Sequence, residues 1–195
     1  AQDYSDAILL LINMIEIDPN WEKGFSLLAA CNQKADDSAL AVKSFDKVLE
    51  VKPGSATMHV NLGIALTKQG ETKTAIANFN KALVIKPDYA EAHRHLSQLT
   101  KYTADTAQIS EVEALLQQAD LNDSDRCNLV YTNAKMQEDL GDLNAAYASY
   151  LAGGDLRQKL LAYEFKQDEH LFDQIKRTAP KFKDVALNAT GEPIT

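Results

Sequence analysis

The chain has 195 residues, 45% hydrophobic and 25% charged, with a formal net charge of -8. That is the make-up of a soluble globular chain, and no apolar run approaches the roughly 20 residues that a membrane helix requires. The acidic excess makes nucleic acid and anionic membrane poor partners, because both reward a strongly basic face.

The chain opens with "QDYSDAILLLINMIEIDP", whose apolar spacing predicts one helix over 4–17. From there the prolines set a clock. Pro19, Pro53 and Pro87 stand 34 residues apart, and Ala41 and Ala75, Phe45 and Phe79, and the series Phe25, His59 and His93 keep the same step. Self-similarity at this interval marks an array of stacked units. Helices are expected at 22–34, 38–51, 56–68, 72–85 and 90–102.

Within one period, "HVNLGIALTKQGETKTAIANFNKALVIKP" places His59, Leu62, Gly63 and Leu66, then Ala75, Phe79 and Pro87, at the spacing of a tetratricopeptide repeat, and the chain resembles that family. Leu62 and Leu66 share a helical face, Gly63 and Ala75 are small enough for two helices to approach, and Pro87 stops the second helix. The fold class expected is all-α, a right-handed superhelix of antiparallel helix pairs. Residues 1–21 read as a half repeat, 22–55 and 56–89 as full repeats, and 90–102 as the start of another. Asn32 stands where an aromatic is usual.

Past residue 102 the phase is lost. "AQISEVEALLQQA" predicts a helix with Ile109, Val112 and Leu116 on one stripe, and Asn122 to Ser124 offer N-cap oxygens for the next. The phase returns at Ala134, Gly141, Ala146 and Tyr150, but Gln158 stands where a proline is expected. Divergent helices are expected from 103 to about 178. Residues 179–195, with Pro180, Gly191 and Pro193, read as a linker.

Residues 90–178 resemble the repeat region of bacterial tetratricopeptide-linked sulfotransferases, through "AEAHRHLSQLTKY", "LNDSDRCNLVYTNAKMQEDLGDLNAAYASYLAGGDLRQKLL" and "YEFKQDEHLFDQIKR". In that family such a segment leads into a donor-binding strand and loop, which this sequence lacks. The resemblance implies a parent enzyme and assigns no catalytic residue here. The half repeat and the absent initiator Met suggest a fragment, so a missing signal peptide carries no information, and a cytoplasmic location is expected.

No catalytic motif is present, and no cofactor or metal is expected. His93 and His95 point to different faces of one helix, which favours packing over metal binding for His93. Glu138, Asp139 and Asp142 surround a turn without calcium-loop spacing. Cys31 reads as a buried free thiol, and two cysteines make no disulfide framework. Trp21 and Tyr89, each just past a proline, read as packing between repeats.

By resemblance, the concave wall comes from the first helix of each repeat. Its expected groove residues are Lys23, Lys34, Val60, Ile64, Lys68, Arg94, Gln98 and Lys101, with Tyr102 also facing outward. Five basic side chains against one acid, Glu91, suggest an acidic peptide as ligand. The alternative is a structural or dimerisation module, so the expected partners are a protein or peptide or a second copy of the chain. The carboxylate clamp of chaperone-binding relatives keeps only Asn61 here, with Ser26, Ala30, Glu91 and His95 at its other positions.

Overall fold

The computed structural model describes residues 4–161. The chain divides into two compact units, Ala1–Arg157 and Gln158–Thr195. The expected helices beyond residue 161 and the linker at 179–195 lie outside the described residues.

The described residues are all-helical: α1 (Ser5–Ile17), α2 (Glu22–Ala35), α3 (Ser38–Val51), α4 (Ala56–Lys68), α5 (Thr72–Ile85), α6 (Ala90–Leu99), α7 (Ala107–Leu116), α8 (Asp123–Asp139) and α9 (Leu143–Leu160). The periodic helices fall within a residue of their expected bounds, except the last. No described helix is long and apolar enough to cross a membrane.

The prolines act one residue upstream. Asp18, Lys52 and Lys86 each precede a proline and leave the helical region, at φ/ψ of -126/89, -131/74 and -136/90 degrees. The proline ring forbids the α conformation to its predecessor, so α1, α3 and α5 stop there. Gln158 imposes no such stop, and α9 runs on to Leu160. Within each repeat the chain reverses through one left-handed residue: Asp36 (φ 50 degrees), Gly70 (φ 80 degrees) or Gly141 (φ 86 degrees). Asp37, Ser55 and Asn122 cap the following helices by accepting backbone N–H bonds.

Two cores result. The larger is built on the repeat positions, with Leu28, Phe45, Leu62, Ala75, Phe79 and Leu96 all buried. Leu83 is half-buried against it, as are Trp21 and Tyr89. Gly63 permits the closest approach: a Cβ there would stand 2.6 Å from Phe79 Cε1. The smaller core joins Tyr102, Val112, Leu129 and Met136, with Ile109 and Leu116 packed on it.

The histidines at the repeating position replace a bulky aromatic with a packed polar ring. His93 is fully buried; its Nε2–H donates to Pro87 O (2.8 Å) and its Nδ1 accepts from Gln108 Nε2 (2.9 Å). Tyr102 Oη donates in turn to Gln108 Oε1 (2.8 Å). Every polar atom in this chain of bonds has a partner, which is what makes its burial tolerable. His59 likewise lies between Pro53 O (3.1 Å) and the Asn78 carboxamide (2.9 Å).

Tyr102 corrects the expectation that it faces outward on a helix running to residue 102. The helix ends at Leu99, and Thr100 turns extended (φ -112, ψ 140 degrees). Tyr102 folds back at 1% exposure, and its N–H donates to Asp139 Oδ2 (3.1 Å). Burial raises its phenol above the ordinary range. A tyrosine whose backbone and hydroxyl both find partners is held more firmly inside than in solvent.

Candidate functional site

A groove of about 480 Å³ lies on the first helices of the two regular repeats. Helical spacing puts its walls together: Ser26, Ala30 and Gln33 share one face of α2, and Thr57, Asn61, Ile64 and Lys68 share one face of α4. Glu91 closes its end on α6. A second compartment of about 700 Å³ continues from the same Glu91, lined by Arg94, His95 and Gln98 of α6, by Ser124, Asn128 and Tyr131 of α8, and by Arg157 of α9. Glu91 belongs to both, so α2, α4, α6 and α8 present one extended surface.

The expected groove residues divide. Ile64 and Lys68 line the first compartment, and Arg94 and Gln98 the second. Lys23, Lys34 and Lys101 are exposed and line neither. Val60 is a correction. It is fully buried in the larger core, because α4 is enclosed by α3, α5 and α6 and has less free face than α2.

The expected basic excess is also redistributed. Lys68 Nζ pairs with Asp36 Oδ1 at 3.1 Å, across one repeat. That first compartment sets Asp36, Asp37 and Glu91 against the single Lys68. The Asp37 carboxylate is committed to capping α3, accepting from the N–H groups of Ala39 and Leu40 at 3.0 Å each. Asn32 corresponds to the missing aromatic. Its Nδ2 donates to Leu28 O (3.0 Å) and Ser44 Oγ (2.8 Å), which ties the buried amide to α2 and α3, while its buried Oδ1 has no hydrogen-bond partner among the described residues.

In the second compartment Arg94 lies over the Tyr131 ring, 5.0 Å from its centroid, a favourable cation–π contact. His95 stacks on Phe79 at 5.6 Å between centroids, and burial lowers its pKa, which keeps it neutral near pH 7. Gly153 matters locally, because a Cβ there would come within 3.1 Å of the Tyr131 ring. Cys127 is buried beside it, and burial raises its thiol pKa. Both cysteines are free; Cys31 is only half-buried.

Tyr131, Asn128 and Arg157 were not reached by sequence reasoning, which counted only first helices of the regular repeats. The return of phase at Ala134, Gly141 and Ala146 is the signal that identifies α8 as another first helix. The acidic string has structural partners: Glu138 Oε2 accepts from Tyr150 Oη (2.9 Å), Asp139 pairs with Lys135, and Asp142 Oδ1 accepts from Ala145 N–H (3.0 Å).

Comparison with known proteins agrees with this architecture. A family model described as TPR repeat matches residues 65–99. No curated protein matches the chain. Among solved structures, a crystal structure of MamA aligns with a TM-score of 0.56 at 18% identity, covering 83% of this chain and 92% of that one. TTC0263, a thermophilic TPR protein in Thermus thermophilus, aligns with a TM-score of 0.53 at 17% identity, covering 82% and 89%. The likeness is one of fold: the described residues stack helix pairs as those proteins do, and the tetratricopeptide match itself spans residues 65–99.

Proposed function

We propose that this chain is a non-catalytic tetratricopeptide scaffold that holds an extended segment of another protein along α2, α4, α6 and α8. The observation that supports it is the continuity of the two compartments through Glu91, which offers a ligand one path across successive repeats. Stacked repeats build such extended surfaces without any catalytic constellation. The parent-sulfotransferase context rests on the resemblance of residues 90–178 alone, since none of the proteins reported above is a sulfotransferase.

The test fills the groove. Ala30→Trp and Thr57→Trp place a bulky ring on two exposed wall positions, while Val84→Trp on α5 serves as a control outside both compartments. Against an array of short random peptides, the wall variants should lose binding at least about tenfold and the control should not. An array without binders, or binding indifferent to the wall variants, refutes the reading.

A second reading has its own support. Leu10, Met14 and Ile17 form a stripe on α1 at 60%, 40% and 85% exposure, apart from the buried face of Ile8, Leu11 and Ile15. Such a stripe suits packing against a twin. Sedimentation equilibrium of the wild type and of Leu10→Glu/Ile17→Glu decides it: a concentration-dependent dimer lost in the variant supports this reading, and a monomer throughout removes it.

A further inference from the structure

The second compartment brings together two cations from opposite ends of the sequence reading, Arg94 on α6 and Arg157 on α9. Neither forms an ion pair with a carboxylate among the described residues, whereas Lys47, Lys68 and Lys135 each do. Arg94 lies over the Tyr131 ring, its Cζ 5.0 Å from the ring centroid. A cation–π contact consumes no N–H donor, so a guanidinium held over a ring can still offer N–H groups to an oxygen pair.

The acids in the same wall have other engagements. Glu91 accepts from Tyr89 Oη (3.4 Å) and lies 3.9 Å from His95 Nε2. Asp125 Oδ2 accepts from Asn122 Nδ2 (2.7 Å) at the start of α8. With Ser124, Gln98 and Asn128 also on the wall, the compartment combines two guanidinium groups that have no ion pair among the described residues with neutral hydrogen-bonding side chains.

We propose that the compartment between α6, α8 and α9 is the anion-recognition subsite of the scaffold, in which Arg94 and Arg157 together hold the side-chain carboxylate of a Glu or Asp residue in the bound peptide. The proposal rests on the reading that the groove holds a peptide. Burial raises the pKa of the Cys127 thiol on the same wall, and both guanidinium groups oppose that rise, in keeping with their shared place around this compartment. Two arginines and two carboxylates make the wall formally neutral, with His95 uncharged. Doubling the ligand charge doubles both the attraction to Arg94 and Arg157 and the repulsion from Glu91 and Asp125, so charge alone does not separate a carboxylate from a phosphate dianion, and the phosphoserine arm of the test does. Acid preference is thus local to this compartment, while the first compartment, with three acids and a paired lysine, contributes none.

The test uses the same array of short random peptides with Arg94→Gln, Arg157→Gln, the double variant and Arg94→Lys. Wild type should enrich Glu- and Asp-containing peptides. The double variant should lose that enrichment, weakening the best acidic peptide at least about tenfold while non-acidic binders persist. Replacing the critical Glu of that peptide by Gln should cost the same factor on wild type and nothing further on the double variant. Raising salt from about 0.05 to about 0.3 M should weaken wild type more than the double variant. Arg157 is exposed, so Arg157→Gln keeps the test open if Arg94→Gln disturbs Tyr131, and Arg94→Lys should retain part of the preference. No acidic enrichment, or enrichment unchanged in the double variant, overturns the subsite while leaving the scaffold reading standing if Ala30→Trp still blocks binding. Arginine-dependent binding that is tighter for phosphoserine than for Glu overturns the carboxylate assignment. An array with no binder of any kind overturns both.

Discussion

Gly63 and Phe79 meet so closely that the effects of changing them should not add. A methyl at position 63 would stand 2.6 Å from Phe79 Cε1 and 2.8 Å from Cζ. The ring cannot retreat, because it is fully buried and stacked on His95. Gly63→Ala should therefore incur overpacking of about 1–3 kcal/mol. Better helix propensity offsets about 1 kcal/mol of this, leaving a net cost of about 0–2 kcal/mol. Phe79→Ala alone removes a buried ring and should cost about 3–5 kcal/mol. In the double variant the clash disappears, the propensity gain remains, and the new methyl occupies part of the vacated space. One methyl of roughly 25 Å³ reduces the cavity penalty by about 0.6 kcal/mol. The double variant should then be more stable than Phe79→Ala by about 1.5 kcal/mol, a coupling of about 1.5–3.5 kcal/mol relative to additivity. Urea melts followed by circular dichroism at the four corners of the cycle measure it. Costs that sum within about 0.5 kcal/mol would refute the reasoning, since the two side chains would then not share one space.

Stability should also depend on pH through His93 and His95. Burial lowers the pKa of both, so the folded state holds them neutral while the unfolded chain takes up protons near pH 6.5. Their contribution is complete above that value and is lost as pH falls toward the lower folded pKa, so the urea midpoint should fall between pH 7 and pH 5, and less so in His93→Asn; a flat profile contradicts the assignment. At the turn, Asp36 holds a left-handed φ of 50 degrees where the corresponding turns use Gly70 and Gly141. Asp36→Gly should be more stable than Asp36→Ala by about 1 kcal/mol, because alanine has neither glycine's freedom nor the local hydrogen bonds of aspartate. The exposed bond to Lys68 contributes only about 0–1 kcal/mol and is lost in both variants. Thermal melts of the pair check the order, and an alanine variant at least as stable as the glycine one would reverse it.

The 34-residue step by itself determined the regular helices, their stops and their main core. Period and side-chain size are local properties: Pro53 and Pro87 act on the residue before them, and Leu62, Gly63 and Leu66 share a face whatever surrounds them. The same locality makes the packing of His93 and the capping role of Asn122 legible in the sequence. What only the tertiary structure decided is which of those faces remains open. Val60 occupies the same repeat position as Ser26 and Arg94, yet α3, α5 and α6 close over its helix and bury it. Tyr102 leaves the groove because Asp139 and Gln108, which receive its N–H and hydroxyl, arrive from later segments. Charge is equally non-local. Lys68 is a free cation in the sequence and a partner of Asp36 in the fold, while Arg94 gains Tyr131 beneath it and Arg157 beside it in one compartment. A helix face is written within a few residues of sequence, but burial, pairing and the sign of a groove depend on side chains that only packing brings within a few ångströms.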